Sequence, residues 1–140
     1  MKQVTALILA AGAGTRMRSK LPKVLHKVCG TAMVEHVIDA VQEMHVSKTV
    51  IVIGHGAEQV EDALAHRDVQ FVLQREQLGT GHAVMQSVAA LPDEGNVLLL
   101  CGDTPLITRE TLEELVRFHE AGDYQMTVLT AEIEDPTGYG

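Results

Sequence analysis

The sequence predicts an α/β fold, a Rossmann-like three-layer sandwich in which helices cover both faces of a mostly parallel sheet. Short, nearly continuous apolar segments alternate along the 140 residues with segments whose apolar positions recur at helical spacing. Strands without polar alternation are typical of parallel sheets that are buried on both faces. Hydrophobic residues make up 46% of the chain and aromatic residues only 3%, so we expect an aliphatic core in one domain at most.

The first half of the chain contains three predicted strands and two predicted helices. "VTALIL" at 4–9 and "TVIVIG" at 49–54 are continuous apolar runs, and "VQFVLQ" at 69–74 is rich in β-branched and aromatic residues. Before the second strand, the recurrence of apolar residues every three or four positions predicts a helix over 31–44. The segment 57–65 has a similar spacing, which predicts a second helix.

The second half repeats the alternation. "GTGHAVMQSVAAL" at 79–91 begins with glycines and continues as a predicted helix, and "NVLLLCGD" at 96–103 is a predicted strand. A helix is predicted over 108–122, because a threonine at its start can cap it and a glycine at its end can stop it. "QMTVLTAEI" at 125–133 is predicted to be a fifth strand of the main sheet.

Charge and cysteine content exclude several classes of protein. Eleven Lys and Arg against nineteen Asp and Glu give a formal charge of −8, which argues against a general nucleic-acid binder. Cys29 and Cys101 form no CxxC pair, so they are interpreted as reduced, mostly buried thiols of a cytoplasmic protein. The N-terminal apolar run is interpreted as a buried strand rather than a signal peptide. No apolar run approaches the ~20 residues of a membrane span.

A glycine loop follows the first predicted strand, where ligands of doubly wound sheets bind. It is neither a Walker A loop nor a complete dinucleotide fingerprint, since Met17 occupies the place of the third glycine. Alone, Gly12 and Gly14 fit a tight strand-to-helix turn equally well. Four basic side chains then follow within an acidic protein, at Arg16, Arg18, Lys20 and Lys23. Together, the loop and these cations predict a polyphosphate site.

Polar residues follow two further strands at the same expected edge. Asp103 is either a turn or capping residue or, beside a phosphate loop, a ligand of Mg²⁺. Gln74 and the "GTG" of 79–81 could read a base edge or simply start a helix. Seven histidines show no metal-ligand spacing, and surface or capping roles are expected for His55 and His82.

Several of these motifs together carry a resemblance. "LILAAGAGTRM", "LPKVLH", "QREQLGTGHAV", "CGDTPLI" and "DPTGYG" resemble, in this order, motifs of the sugar-nucleotidyltransferase family. Within it, the sequence is most similar to the branch of bacterial bifunctional N-acetylglucosamine-1-phosphate uridylyltransferases/glucosamine-1-phosphate acetyltransferases. The resemblance spans essentially the whole chain and implies the nucleotide-diphospho-sugar transferase type of α/β/α sandwich.

The resemblance implies a role for individual residues. Arg16 and Lys23 would hold phosphates and act in catalysis, and Asp103 would bind Mg²⁺. Gln74 would recognise the base. The remaining residues implied to bind nucleotide or sugar are Leu9, Ala10, Ala11, Gly12, Gly79, Thr80, Cys101, Gly102 and Gly138. Relatives often carry another residue, such as Tyr, where this chain has Cys101, so only its backbone neighbourhood is expected to matter.

The implied activity is Mg²⁺-dependent uridylyl transfer from UTP to N-acetylglucosamine-1-phosphate, giving UDP-N-acetylglucosamine and pyrophosphate in the cytoplasm. This product would feed peptidoglycan and lipopolysaccharide synthesis. Residues 1–140 would be the N-terminal part of the pyrophosphorylase domain and inactive alone, because a second metal ligand and later sugar contacts are expected beyond them. A left-handed β-helix domain that acetylates glucosamine-1-phosphate from acetyl-CoA would follow, and only the full-length protein would form a homotrimer.

Three alternatives stay open at this stage. The first is a cytidylyl- or guanylyltransferase of the same fold, which its choice of base would distinguish. The second is a nucleotide-binding module without catalysis. The third is a dinucleotide-dependent dehydrogenase, against which Met17 in the glycine loop argues.

Overall fold

A computed structural model of the chain describes residues 2–138. The strands are β1 (Val4–Ala10), β2 (Lys27–Val28), β3 (Thr31–Ala32), β4 (Lys48–Ile53), β5 (Gln70–Leu73) and β6 (Asn96–Cys101). The helices are α1 (Met33–Gln42), α2 (Ala57–Ala63), α3 (Thr80–Ser87) and α4 (Arg109–Ala121). Single 3-10 turns lie at Thr15–Met17, Lys23–Leu25 and Val88–Ala90.

The main sheet has four parallel strands in the order β5-β4-β1-β6. Leu7 in the central strand β1 is paired with Val50 on one side and with Leu99 on the other. Because the strands are parallel, their carboxyl ends lie together at one edge of the sheet. The short strands β2 and β3 form a separate antiparallel hairpin. The predicted α/β fold with a mostly parallel sheet is confirmed.

Helices pack on both faces of this sheet. On one face, α1, α2 and α4 contribute aliphatic side chains to the larger core, which includes Ile8, Ile51, Val37 and Leu112, all fully buried. On the other face, α3 packs through Ala83 against Leu7 and its neighbours in β4. Each fully buried aliphatic side chain stabilises the fold by about 1.5–3 kcal/mol relative to exposure. The two cores therefore fix the sheet, and with it the relative positions of the strand ends.

The predicted strand 125–133 is wrong, because these residues follow an irregular path after α4. Residues 125–129 lie beside β6 and α4, where they line a cleft of about 650 Å³. Two contacts hold the path: the Phe118 and Tyr124 rings stack at 5.3 Å, and His119 Nδ1 lies 2.9 Å from Thr127 Oγ1. A strand requires a hydrogen-bonded neighbour, and sequence pattern alone does not provide one.

Two further expectations need correction. The helix predicted over 31–44 starts only at Met33, because Thr31–Ala32 pairs with Lys27–Val28 in the β2–β3 hairpin. Cys29 and Cys101 are exposed rather than mostly buried. Cys29 occupies the hairpin turn with a positive φ of 52°, and Cys101 ends β6.

Strand β6 differs from the central strands β1 and β4 because one of its faces is exposed. Leu98 and Leu100 are buried, whereas Val97 and Leu99 are 44% and 47% exposed. The expectation of strands buried on both faces is therefore wrong for β6, which is an edge strand of this sheet. An exposed apolar edge strand favours pairing with other chains.

We expect the double substitution Val97→Thr/Leu99→Thr to reduce self-association of this chain with little loss of thermal stability. Both side chains are about half exposed, so their replacement removes apolar surface without opening the core. Sedimentation velocity at increasing protein concentration measures the effect. As a control, Val50→Thr places a hydroxyl in the fully buried part of the same sheet and should lower the melting temperature. If the double variant self-associates as strongly as the parent, the exposed face of β6 is not the surface through which the chain associates.

Within residues 2–138, none of the helices combines the length and the hydrophobicity that crossing a bilayer requires.

Candidate active site

Backbone hydrogen bonds tie together the loops that follow the strands at the carboxyl edge of the sheet. The loop after β1 is joined to the loop after β4, where the His55 amide donates to the Ala11 carbonyl at 3.1 Å. The end of β1 is joined to the loop after β6, where the Gly102 amide donates to the Leu9 carbonyl at 2.9 Å. Three polar loops therefore meet at one place, as expected for a ligand site in a doubly wound sheet.

The glycine loop is shaped around Lys23. Gly14 has a φ of +60°, and a Cβ at this position would lie 2.6 Å from the Cβ of Lys23, so only glycine fits without a shift. The Met17 amide donates to the Gly14 carbonyl at 2.9 Å and closes a 3-10 turn. No atom lies within 4 Å of the position that a Cβ on Gly12 would occupy, so the space beside Gly12 is open to a ligand. The two glycines thus serve different purposes, one for packing and one for access.

Pro22 fixes the other side of Lys23. It is buried, and a Cβ on Gly56 would overlap its ring. After it, Val24 and Leu25 enter the larger core in the 3-10 turn that begins at Lys23. The backbone of Lys23 is therefore held by packing on both sides, while its side chain remains free to reach into the site.

The ammonium group of Lys23 meets the carboxylate of Asp103. Nζ lies 2.7 Å from Oδ2, and the two side chains are 39% and 33% exposed. Ion pairs at such partly solvated positions stabilise a fold by only about 0–1 kcal/mol. The pair therefore brings the loops after β1 and β6 together, yet separates at small cost when a ligand competes for either charge.

The donor set at Asp103 fits a divalent ion that is shared with a phosphate ligand. Within residues 2–138 no three His, Cys, Asp or Glu side chains converge on one point, so the protein offers no closed metal cage. One carboxylate combined with phosphate oxygens and water is the set that Mg²⁺ commonly accepts. Asp103 is the residue that would hold such an ion.

The base-recognition candidates lie after β5. Gln74 is buried, and its backbone amide donates to the Ile53 carbonyl at 2.7 Å. Its side-chain Nε2 donates to the Gly79 carbonyl at 3.3 Å and lies 2.9 Å from Nδ1 of His82. Gly79 caps α3 with a φ of +101° and open space beside it, and Thr80 is the exposed first residue of that helix.

Arg16 and the end of the described chain lie close together. A Cβ on Gly138, which has a φ of +86°, would be 4.0 Å from Nη2 of Arg16. Asp135 accepts hydrogen bonds from the amide and the hydroxyl of Thr137, and these lower the pKa of its carboxyl group. This turn brings "DPTG" toward the glycine loop, while Tyr139 and Gly140 of the motif lie outside the described residues.

The structure thus brings most of the predicted site residues to one edge of the sheet. Leu9 and Ala10 end β1, Ala11 is buried beside the smaller core, and Gly102 is enclosed between Leu9 and Val24. Arg16 is exposed and makes no ion pair with any of residues 2–138. Sequence reasoning missed three contacts rather than the residues that make them: Pro22 against Gly56, Gly14 against Lys23, and His82 beside Gln74. For His82, its place eight residues after Gln74 at the start of a helix was the available signal.

The Cys101 thiol is expected to react slowly with iodoacetamide near neutral pH, because the thiolate is the nucleophile. Although the residue is exposed overall, partial burial raises the pKa of its thiol, Asp103 raises that pKa further, and Lys23 lowers it. Labelling should therefore accelerate only as the pH rises above the ordinary thiol value of about 8.5. Asp103→Asn removes one raising charge and should speed labelling at fixed pH. Mass spectrometry in a Cys29→Ser background measures this, and an unchanged rate would contradict the electrostatic coupling.

Comparison with known proteins agrees with this geometry. Residues 6–138 match the MobA-like NTP transferase domain. The chain belongs to this family. It is also 56% identical, over 99% of its length, to the bifunctional protein GlmU of Alkaliphilus metalliredigens, of which it spans 30%. The resemblance to sugar nucleotidyltransferases, and to the N-terminal part of the pyrophosphorylase domain of GlmU relatives, is thereby confirmed.

Solved structures show the same fold. A nucleotidyl transferase from Methanothermobacter superposes with a TM-score of 0.74 at 27% identity, covering 82% of this chain and 57% of that one. A Mycobacterium tuberculosis protein solved in complex with manganese superposes with a TM-score of 0.71 at 22% identity, covering 85% and 60%.

Proposed function

We propose that this chain is the N-terminal part of a uridylyltransferase that joins UTP to N-acetylglucosamine-1-phosphate, releasing pyrophosphate. The observation that carries the proposal is the contact between Lys23 and Asp103, 2.7 Å long, across the loops after β1 and β6. A cation for phosphate and a carboxylate for metal lie side by side there, next to the open space at Gly12. The high identity to GlmU over the whole chain supports the choice of substrates.

In this proposal, the protein orients reactants and compensates charge, and it forms no covalent bond with them. Gly12 lets the triphosphate approach the backbone, and Lys23 and Arg16 donate hydrogen bonds to its oxygens. Gln74, Gly79 and Thr80 face the base and ribose, and Gly138 lies toward the sugar. Alignment of the sugar phosphate with the α-phosphorus of UTP then allows in-line displacement. A magnesium ion held by Asp103 would supply charge neutralisation to the phosphates.

The proposal also states which activities require residues beyond the 140 of this chain. The chain spans 30% of the length of the GlmU relative. We therefore expect residues 1–140 to bind UTP weakly, with little turnover, and a longer version with about a hundred additional residues to be active. The additional residues would supply the second metal ligand and further sugar contacts that the resemblance implies. In relatives of full length, acetyl transfer and trimer formation would belong to a further domain.

A pyrophosphate-release assay with UTP and N-acetylglucosamine-1-phosphate tests the proposal on both lengths of chain. Isothermal titration of the 140-residue chain with UTP, with and without Mg²⁺, provides the second readout. Metal-dependent UTP binding by the short chain and turnover by the longer one are expected. Turnover with CTP or GTP as fast as with UTP would favour a transferase of different base preference. Comparable turnover by both lengths would show that residues 1–140 hold a complete site.

A further inference from the structure

The Gln74 side chain is buried, yet one of its polar atoms is unused. The residue is only 3% exposed, and its Nε2 is engaged by both Gly79 and His82. Its Oε1 accepts no hydrogen bond from residues 2–138. It is not sealed in the core either, since the one fully buried side-chain atom without a partner in that range is Nε2 of His26. The amide oxygen of Gln74 is therefore available to a ligand, and the space beside Gly79, whose carbonyl the same amide contacts, is open.

The orientation of this amide is determined by its neighbours. The Gly79 carbonyl can only accept a hydrogen bond, so the group 3.3 Å from it must be the Gln74 nitrogen. The same nitrogen lies 2.9 Å from Nδ1 of His82, which must then accept, and the histidine proton resides on Nε2. The side-chain nitrogen of Gln86 lies 3.3 Å from that ring nitrogen in an exposed contact, which takes no part in orienting Gln74. The Gly79 carbonyl and the His82 ring together thus determine which way the Gln74 amide faces.

We propose that His82 is a positioning residue that holds Gln74 as a hydrogen-bond acceptor, so that the site selects uracil over cytosine. The inference rests on the proposed function, in which the base lies against Gln74. Uracil offers an N–H at ring position 3, which the fixed oxygen of Gln74 can accept. Cytosine has a lone pair at that position, which the same oxygen repels. A site of this kind rejects the wrong base because a buried polar group is then left unpaired.

His82 is suited to this task by its place in the fold. It is half-buried in the first turn of α3, next to Ala83, which packs in the smaller core. Its ring is therefore fixed relative to the sheet that carries Gln74. The contact with His82 is the shorter of the two that engage the Gln74 nitrogen. Without His82, the remaining 3.3 Å contact with Gly79 would allow the amide to turn over and to present its nitrogen to the base.

The experiment measures the ratio of UTP to CTP dissociation constants for the 140-residue chain, by isothermal titration with Mg²⁺ present. His82→Phe removes the acceptor and keeps a planar ring, whereas His82→Asn places an oxygen near the position of Nδ1 and keeps the acceptor. Gln74→Leu removes the amide itself. The control is His66→Phe, at an exposed histidine before β5 that contacts Glu35, away from the strand ends. Circular dichroism melting of each variant accompanies the titrations.

We expect the parent and His66→Phe to prefer UTP, and His82→Phe to lower that preference by about tenfold, the equivalent of one hydrogen bond. His82→Asn should keep most of the parent's preference for UTP over CTP. A merely structural role of the histidine ring would not explain that result. If Gln74→Leu lowers the preference and His82→Phe does not, the positioning role is overturned and the proposed function stands. If neither nucleotide binds, or if Gln74→Leu changes nothing, the base site and the inference fail together.

Discussion

Replacement of Asp103 by asparagine in a catalytically active, longer version of the chain is expected to lower metal-dependent turnover by about 10²-fold or more. Loss of groups that merely support a metal ligand costs about 10–100-fold, so loss of the ligand itself should cost at least as much. The substitution keeps the shape of the side chain and removes its charge. Asp103 is partly exposed and outside both cores, so the fold should be retained.

The measurement is initial rate of pyrophosphate release across a range of Mg²⁺ concentrations. Asp93→Asn is the matched control, because this exposed carboxylate precedes β6 at the opposite end of the strand. Binding of Mn²⁺ in the presence of UTP, followed by electron paramagnetic resonance, gives a readout independent of turnover. An Asp103→Asn enzyme that stays within about threefold of the parent would exclude a direct-ligand role.

Replacement of Lys23 by alanine is expected to lower kcat by about 10²–10³-fold, with a smaller change in KM. Removal of a single donor that acts on charge developing in the transition state typically has this effect. Lys23→Arg should rescue only partly, since the guanidinium is larger and Gly14 leaves no room beside the Lys23 stem. Lys20→Ala is the control, at an exposed lysine of the same segment.

The Lys23–Asp103 pair leads to a second expectation for Lys23→Ala, in which binding of a metal ion becomes tighter rather than weaker. In the parent without nucleotide, the Lys23 ammonium occupies the Asp103 carboxylate and would compete with a metal ion for it. Lys23→Ala should therefore bind Mn²⁺ more tightly than the parent without UTP, although it binds UTP less well. A higher KM with an unchanged kcat would mean that Lys23 acts only in ground-state binding. Weaker Mn²⁺ binding without UTP would contradict the competition between Lys23 and the metal ion for Asp103.

The fold, and the meeting of the polar loops at one edge of the sheet, could be predicted because both follow from periodicity along the chain. Apolar runs and helical spacing determine the order of strands and helices, and parallel strands bring their following loops to one edge. The predicted strand at 125–133 failed for the converse reason. Whether an apolar segment becomes a strand depends on a neighbour with free backbone groups, and that is decided by tertiary structure.

The contacts within the site could not be predicted in the same way. That Lys23 meets Asp103 depends on the packing of Pro22 against Gly56 and of Gly14 against the lysine stem. Similarly, the sequence singled out His82 together with His55, but it predicted surface or capping roles for both. The contact of His82 with Gln74 depends on how α3 starts after Gly79. Such contacts join loops that are far apart in the sequence, and the periodic pattern of apolar residues does not show which loop residues will meet.

The pairing of β1 imposes an order of events during synthesis on the ribosome. β1 is the first strand to be made, yet Leu9 pairs with Cys101, so its second neighbour emerges only about a hundred residues later. At typical elongation rates this interval lasts roughly 5–20 s. Throughout it, the apolar segment Val4–Ala10 lacks its partner on that side, which leaves an unpaired apolar strand edge on the nascent chain. The Lys23–Asp103 contact forms at the end of the same interval, so the binding site matures together with the last strand of the sheet.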